Sequence, residues 1–186
     1  MVERQAIQLH SVTNEYVVQY PIFPHETVRE IFQRKKFEWE ASSAGQQLQS
    51  TLKSIAIPDV RKIVAFACFN MSDRIMAERS ACQHALILIL KEFFAKQQNP
   101  AGNILCFAQD PLYEDVDRQI LADAGVTVLE NPRAFLEVDD TTLVFSLSPE
   151  TPVRQIVADL ARSAVMIWNK VAENQRMTAS VGQTEW

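Results

Sequence analysis

Glycine is scarce, with four in 186 residues. Neither a G-x-G-x-x-G run nor a Walker loop is present, so the usual phosphate-cradling turns are excluded. Loops must be short or built on Pro, Asn, Asp and Ser. Cysteine is scarce too. Cys68, Cys82 and Cys106 are an odd set without C-x-x-C spacing, which is neither a disulfide framework nor a zinc site. Their settings suit buried, reduced thiols and a reducing compartment. His10, His25 and His84 form no H-x-H or H-E-x-x-H pattern, and no metal site is expected. No G-x-S-x-G elbow signals a hydrolase.

Positive charge is in the minority. Eighteen Lys and Arg face 23 Asp and Glu, for a net charge of −5. Nucleic-acid affinity leans on clustered cations, so no nucleic-acid partner is expected. The one basic cluster, Arg34-Lys35-Lys36, reads as a solvated helix end. No apolar run reaches the ~18 residues of a membrane span, and MVERQAIQLHSV lacks the apolar core of a signal peptide. The expectation is a soluble protein of the cytoplasm or nucleus with no membrane partner.

What is present is an ordinary globular composition, 47% hydrophobic and 22% charged. The length suits one domain. Glu15 to Tyr20 has strand character and ends at Pro21. Helical spacing of Val28, Ile31 and Phe32 predicts a helix over His25 to Trp39, and a second runs from about Ala41 to Ile55 until Pro58 stops it. These helices form an N-terminal cover over residues 1–60.

The organised part begins at Lys62. Ile63 to Phe69 is a continuous apolar run, as in a strand buried on both faces. A long helix over about Asp73 to Gln97 follows. The alternation continues: strand Ile104 to Phe107, helix Tyr113 to Ala124 closed by Gly125, strand Val126 to Leu129, a helical turn to Leu136, and strand Thr142 to Leu147. A helix then runs through Ala161, and Val165 to Trp168 is strand-like. This pattern predicts an α/β fold, a Rossmann-like three-layer sandwich on a mostly parallel sheet of about five strands. The domain should span residues 61–172, with a flexible tail over 173–186.

Open α/β sheets bind ligands beyond the carboxyl ends of their strands. That rule selects four loops. In the first, Phe69, Asn70 and Ser72 are candidate ligand contacts, and Asp73 sits where a phosphate would lie. Asn70, Ser72 and Asp73 equally read as helix caps, and a dinucleotide in the usual pose is not expected. In the second, Asp110 stands where a Rossmann acidic residue accepts ribose hydroxyls, and reads equally as a cap of the turn at Pro111. Tyr113 reads as a ligand donor or as a shield over the sheet edge. In the fourth, Ser148 is a candidate contact. Glu150 is a candidate general base or a first-turn acid complementing the helix dipole. His84, among apolar neighbours, reads as a hydrogen-bonded core histidine.

These residues together resemble the sensitivity-to-red-light-reduced-like (SRR-like) domain family. The features that carry the resemblance are the strand KIVAFAC, the helix CQHALILIL with Gln83, the strand leading to Asp110-Pro111, LADAGVTVLEN and TLVFSLSP. The segment VRQIVADLARSAVMIW looks like the fungal branch. The resemblance implies a Rossmann-like fold, a role for Gln83 at the site, and links to light signalling or haem-metabolism regulation. Two departures stand out. The family's glycine-containing turn after the first strand is Cys68-Phe69-Asn70 here. Its Met-Pro-His-Cys is Leu147-Ser148-Pro149-Glu150, so a role resting on that histidine and cysteine does not carry over.

Two functions fit. One is a regulatory module that does no chemistry and binds a small molecule or a protein partner, a second copy of the chain in a homodimer included. The other is a cofactor-independent enzyme (an isomerase, lyase or cyclase) of fungal specialised metabolism, with Asp110 or Glu150 as acid or base. Neither requires a cofactor.

Overall fold

The computed structural model describes residues 9–12, 15–18, 21–98, 103–147 and 149–169. The expected N-terminal strand is Glu15–Val18 (β2), paired antiparallel with Leu9–Val12 (β1). Residues 19 and 20, Ser148 and the expected tail over 173–186 lie outside the described residues.

Two helices follow, His25–Ala41 (α1) and Ser43–Ser54 (α2). Ser42 joins them. Its Oγ accepts from Gly45 N at 3.0 Å and donates to the Trp39 carbonyl at 2.9 Å. A Cβ on Gly45 would collide with that same carbonyl, so glycine permits the close approach of the two helices.

The sheet is built from Lys62–Phe66 (β3), Leu105–Gln109 (β4), Thr127–Val128 (β5), Thr142–Ser146 (β6) and Val165–Trp168 (β7). Its order is β5-β4-β3-β6-β7 and every pairing is parallel. Between the strands run Ala77–Gln98 (α3), Asp115–Asp123 (α4), Arg133–Leu136 (α5) and Val153–Leu160 (α6). This is the doubly wound, Rossmann-like order, with its switch point between β3 and β6.

Strand periodicity divides the core in two. Ile63, Ala65, Cys106, Ala108, Leu143 and Phe145 face α3 and α4. Val64, Phe66 and Val144 face α5 and α6, where the Phe66 and Phe135 rings stack with centroids 4.5 Å apart. Burying each Ile, Leu, Val or Phe among these contributes ~1.5–3 kcal/mol.

Helix α3 is apolar on more than one side because it is covered twice. The sheet takes one face and α1 the other. Lys36 pairs with Glu92 at 2.7 Å, and Trp39 Nε1 donates to Cys82 Sγ at 2.9 Å. Val28, Phe32, Leu52 and Val60 lie in the same core as Ile63. The N-terminal cover is thus part of the domain's own core.

Two boundaries differ most from the sequence expectation. The first strand stops at Phe66, three residues short of the apolar run. The helix expected from Asp73 begins at Ala77, because the Asp73 side chain closes a turn over residues 73–76 ahead of it. Asp73 Oδ1 accepts from Ile75 N and Met76 N, each at 2.8 Å.

Candidate functional site

The turn after β3 explains the early end of that strand. Ala67 has φ 54° and Phe69 φ 66°, both in the left-handed region. Side-chain-bearing residues adopt this region at a cost of about 1–2 kcal/mol each. The glycine-type turn is therefore kept without glycine. Such strain persists only where the surroundings enforce it.

Phe69 is held from both sides. Its N–H donates to Asp110 Oδ2 at 2.7 Å, and its carbonyl accepts from Ser80 Oγ at 2.8 Å. The other Asp110 oxygen accepts from Leu112 N at 3.0 Å, fixing the turn around Pro111. Asp110 is buried and ties the loop after β4 to the loop after β3.

Below this lies a second carboxylate, Asp117, in the first turn of α4 and fully buried. Its Oδ1 accepts from Met71 N at 2.7 Å and Ser72 N at 2.9 Å. Its Oδ2 accepts from Ser72 Oγ at 2.7 Å and Glu114 N at 3.0 Å. Four donors satisfy the buried charge.

A third network is also buried. His84 Nδ1 lies 2.8 Å from the Ser80 carbonyl, which only accepts, so Nδ1 carries the proton. Nε2 then accepts from the Tyr113 hydroxyl at 2.7 Å. Burial pushes the His84 pKa down to about 4 and raises that of Tyr113. This is a core histidine held neutral. Burial likewise raises the Cys68 thiol and takes Cys106 up to about 12, so neither is poised as a nucleophile.

Above these networks a cleft of about 270 Å³ opens at the switch point. Its polar lining is Gln83, Arg79, Asp110, Glu150 and Thr151. Phe69, Met76, Leu112 and Leu147 supply apolar wall. Gln83 is 8% exposed, and its Oε1 is buried with no hydrogen-bond partner. Leaving such an acceptor unmet costs about 1–3 kcal/mol.

Of the residues singled out from the sequence, the structure brings Phe69, Gln83, Asp110 and Glu150 to this cleft. It does not bring Asn70, Ser72 and Tyr113, which are buried and do not line it. Ser72 bonds Asp117, Tyr113 bonds His84, and Asn70 Nδ2 lies 3.4 Å from Ser72 Oγ. Ser148 lies outside the described residues. Sequence reasoning missed Arg79 and Met76 as cleft residues. The signal was available: Met76, Arg79 and Gln83 fall at i, i+3 and i+7 on one face of the expected helix. It also missed Asp117, whose place in a first turn looks like simple dipole compensation.

Among the described residues no group of three or more His, Cys, Asp or Glu stands ready for a metal, and no helix is long and apolar enough to cross a membrane. Comparison with curated proteins and with solved structures returned no match. The SRR1 domain matches residues 45–183, beginning inside α2 and running past β7. That span is well over half of the chain, and the protein belongs to the SRR1 domain family.

Proposed function

We propose that this domain is a small-molecule-binding regulatory module whose ligand occupies the cleft at the switch point. One observation carries the reading: a buried, unpartnered Gln83 Oε1 on a residue lining that cleft. Oε1 has no surface open to the cleft as it stands, and a turn of the side-chain amide would bring it to the N–H or O–H of a bound ligand. The volume, about 270 Å³, sits just below the range of drug-sized sites and favours a small metabolite over a dinucleotide. Asp73 supports the same exclusion, because its carboxylate already fills the α3 N-terminus where a pyrophosphate would lie.

The catalytic alternative has less support. Both Asp110 oxygens already accept backbone N–H groups, and Glu150 is exposed. A carboxylate so bonded is a better acceptor for a ligand than a base. We further propose a fungal-type member, on the closing segment VRQIVADLARSAVMIW, acting in the cytoplasm or nucleus. The three free cysteines suit a reducing compartment.

The test is a thermal-shift screen against nucleotides, haem and small metabolites, with hits repeated on Thr151→Trp. Thr151 is exposed on the cleft wall, so the indole fills the cleft without disturbing the core. A hit that raises the melting temperature of the native chain, and not of the variant, supports the reading. Hits indifferent to Thr151→Trp, or no hits, count against it.

A further inference from the structure

We propose that Thr151 is a phosphorylation site for a proline-directed kinase, and that its phosphate turns to Arg79 and closes the cleft. The closure rests on the reading of that cleft as a small-molecule site; the modification does not. Ser148-Pro149 and Thr151-Pro152 are the chain's two Ser/Thr-Pro pairs. Thr151 also has a base three residues on, Arg154, where Ser148 has Thr151. A hydroxyl with proline next and a base at the third place after it is the pattern that cyclin-dependent kinases read. The proline holds the residue before it extended and presents no N–H of its own.

The structure leaves this segment open to an enzyme. Glu150, Thr151, Pro152 and Arg154 are all exposed. The Thr151 hydroxyl makes no hydrogen bond among the described residues. A kinase takes its substrate extended, so the first turn of α6 must open, because Val153 is buried. That turn is weakly held: Pro152 stands at the N-cap with no side-chain cap, and no acid lies in the first turn. Such turns open at the low end of the stability scale. Thr151 Oγ1 then attacks the γ-phosphorus of ATP. The new O–P bond replaces the bond to the β-phosphate oxygen, the hydroxyl proton goes to the kinase's aspartate base, and ADP leaves.

The product changes the cleft. A phosphothreonine adds a charge of about −1.5 to −2. Asp110 and Glu150 share the lining with Thr151 and repel it, which leaves Arg79 as the one lining cation to receive it. Arg79 makes no ion pair among the described residues. Guanidinium and phosphate pair bidentately, and the pair would span a cleft of only about 270 Å³. The negative charge also suits the uncapped start of α6.

The test incubates the folded full chain with a cyclin-dependent kinase, ATP and Mg2+, and locates phosphate by fragmentation mass spectrometry. Phosphate on Thr151 is expected, and Pro152→Ala should slow its incorporation by about tenfold or more. The second pKa of the phosphate, ordinarily about 6, is then read by 31P NMR. It should lie about half a unit lower in the native chain than in Arg79→Gln, the size of an exposed charge pair. The phosphorylated chain should also lose the thermal shift that the strongest metabolite hit gives the unmodified one.

No phosphate on Thr151, or phosphate on Ser148 alone, overturns the site. The same pKa with and without Arg79 overturns the pairing across the cleft. A hit that binds the phosphorylated chain equally well overturns the closure while leaving the binding module standing. If the screen yields no hit, the binding module fails by itself, and the position and pKa of the phosphate still decide the modification and its partner.

Discussion

Asp117→Asn keeps the shape of the side chain and removes one acceptor oxygen, so its cost can be worked from contacts. The carboxylate accepts from Met71 N, Ser72 N, Ser72 Oγ and Glu114 N. In the variant the amide oxygen keeps the first two donors, now without charge assistance. Hydrogen bonds to charged groups contribute about 1.5–3 kcal/mol and neutral ones about 0.5–1.5, so these two bonds together lose ~2 kcal/mol. The Ser72 hydroxyl can reverse and accept from the new NH2. The Glu114 N–H cannot, and facing another donor it loses ~1 kcal/mol more. The total is ~3 kcal/mol, a large share of the ~5–15 kcal/mol that holds a domain folded. For a chain of this length that is a fall in melting temperature of ~6–12 °C. Urea denaturation at pH 7 is the assay, with the midpoint expected to fall at unchanged m-value. A loss below ~0.5 kcal/mol, the range of ordinary surface changes, would refute the idea that Asp117 organises the loop beneath the cleft.

Other outcomes follow from the same networks. Ala67→Gly should hold or raise the melting temperature, because relief of left-handed strain at φ 54° offsets the added freedom of the unfolded chain; Ala67→Val should lower it by several degrees. His84 is buried neutral, with its pKa lowered from 6.5 to about 4. Its contribution is therefore complete above pH 6.5 and is lost as pH falls toward 4. Native stability should drop by ~2 kcal/mol between pH 7 and pH 5 on its account, and urea titrations of His84→Gln should lack that component. Tyr113→Phe leaves His84 Nε2 buried without a donor, and calorimetry should register a loss of ~1–3 kcal/mol.

The parallel sheet was legible because strands buried on both faces carry continuous apolar runs. Ile63 to Phe66 and Leu143 to Phe145 do this plainly, and the helices between them gave the crossovers. The strand end after β3 was not legible. Ala67, Cys68 and Phe69 extend the apolar run, but Cys68 is there for the core and Phe69 for the cleft wall, while the backbone has already turned left-handed. Nothing in residue type announces a left-handed alanine or phenylalanine, since the Ala67 N–H is held by the Gln109 carbonyl and the Phe69 backbone by Asp110 and Ser80, all outside the turn. The candidate site was legible as an edge of the sheet but not as an inventory. Asn70, Ser72 and Tyr113 sit in the right loops, yet buried carboxylate and imidazole partners draw their polar atoms away from the cleft. Arg79 reaches it from α3, which the strand-end rule did not search, and Met76 from the turn just before that helix.

The most direct test of the central claim is native mass spectrometry of the intact chain and of Thr151→Trp with the strongest hit from the thermal-shift screen. The account predicts one ligand per chain on the native protein and none on the variant, with charge-state distributions showing both equally folded. Retention of the ligand by a folded Thr151→Trp would contradict it, because the cleft between β3 and β6 would then not be where the molecule binds.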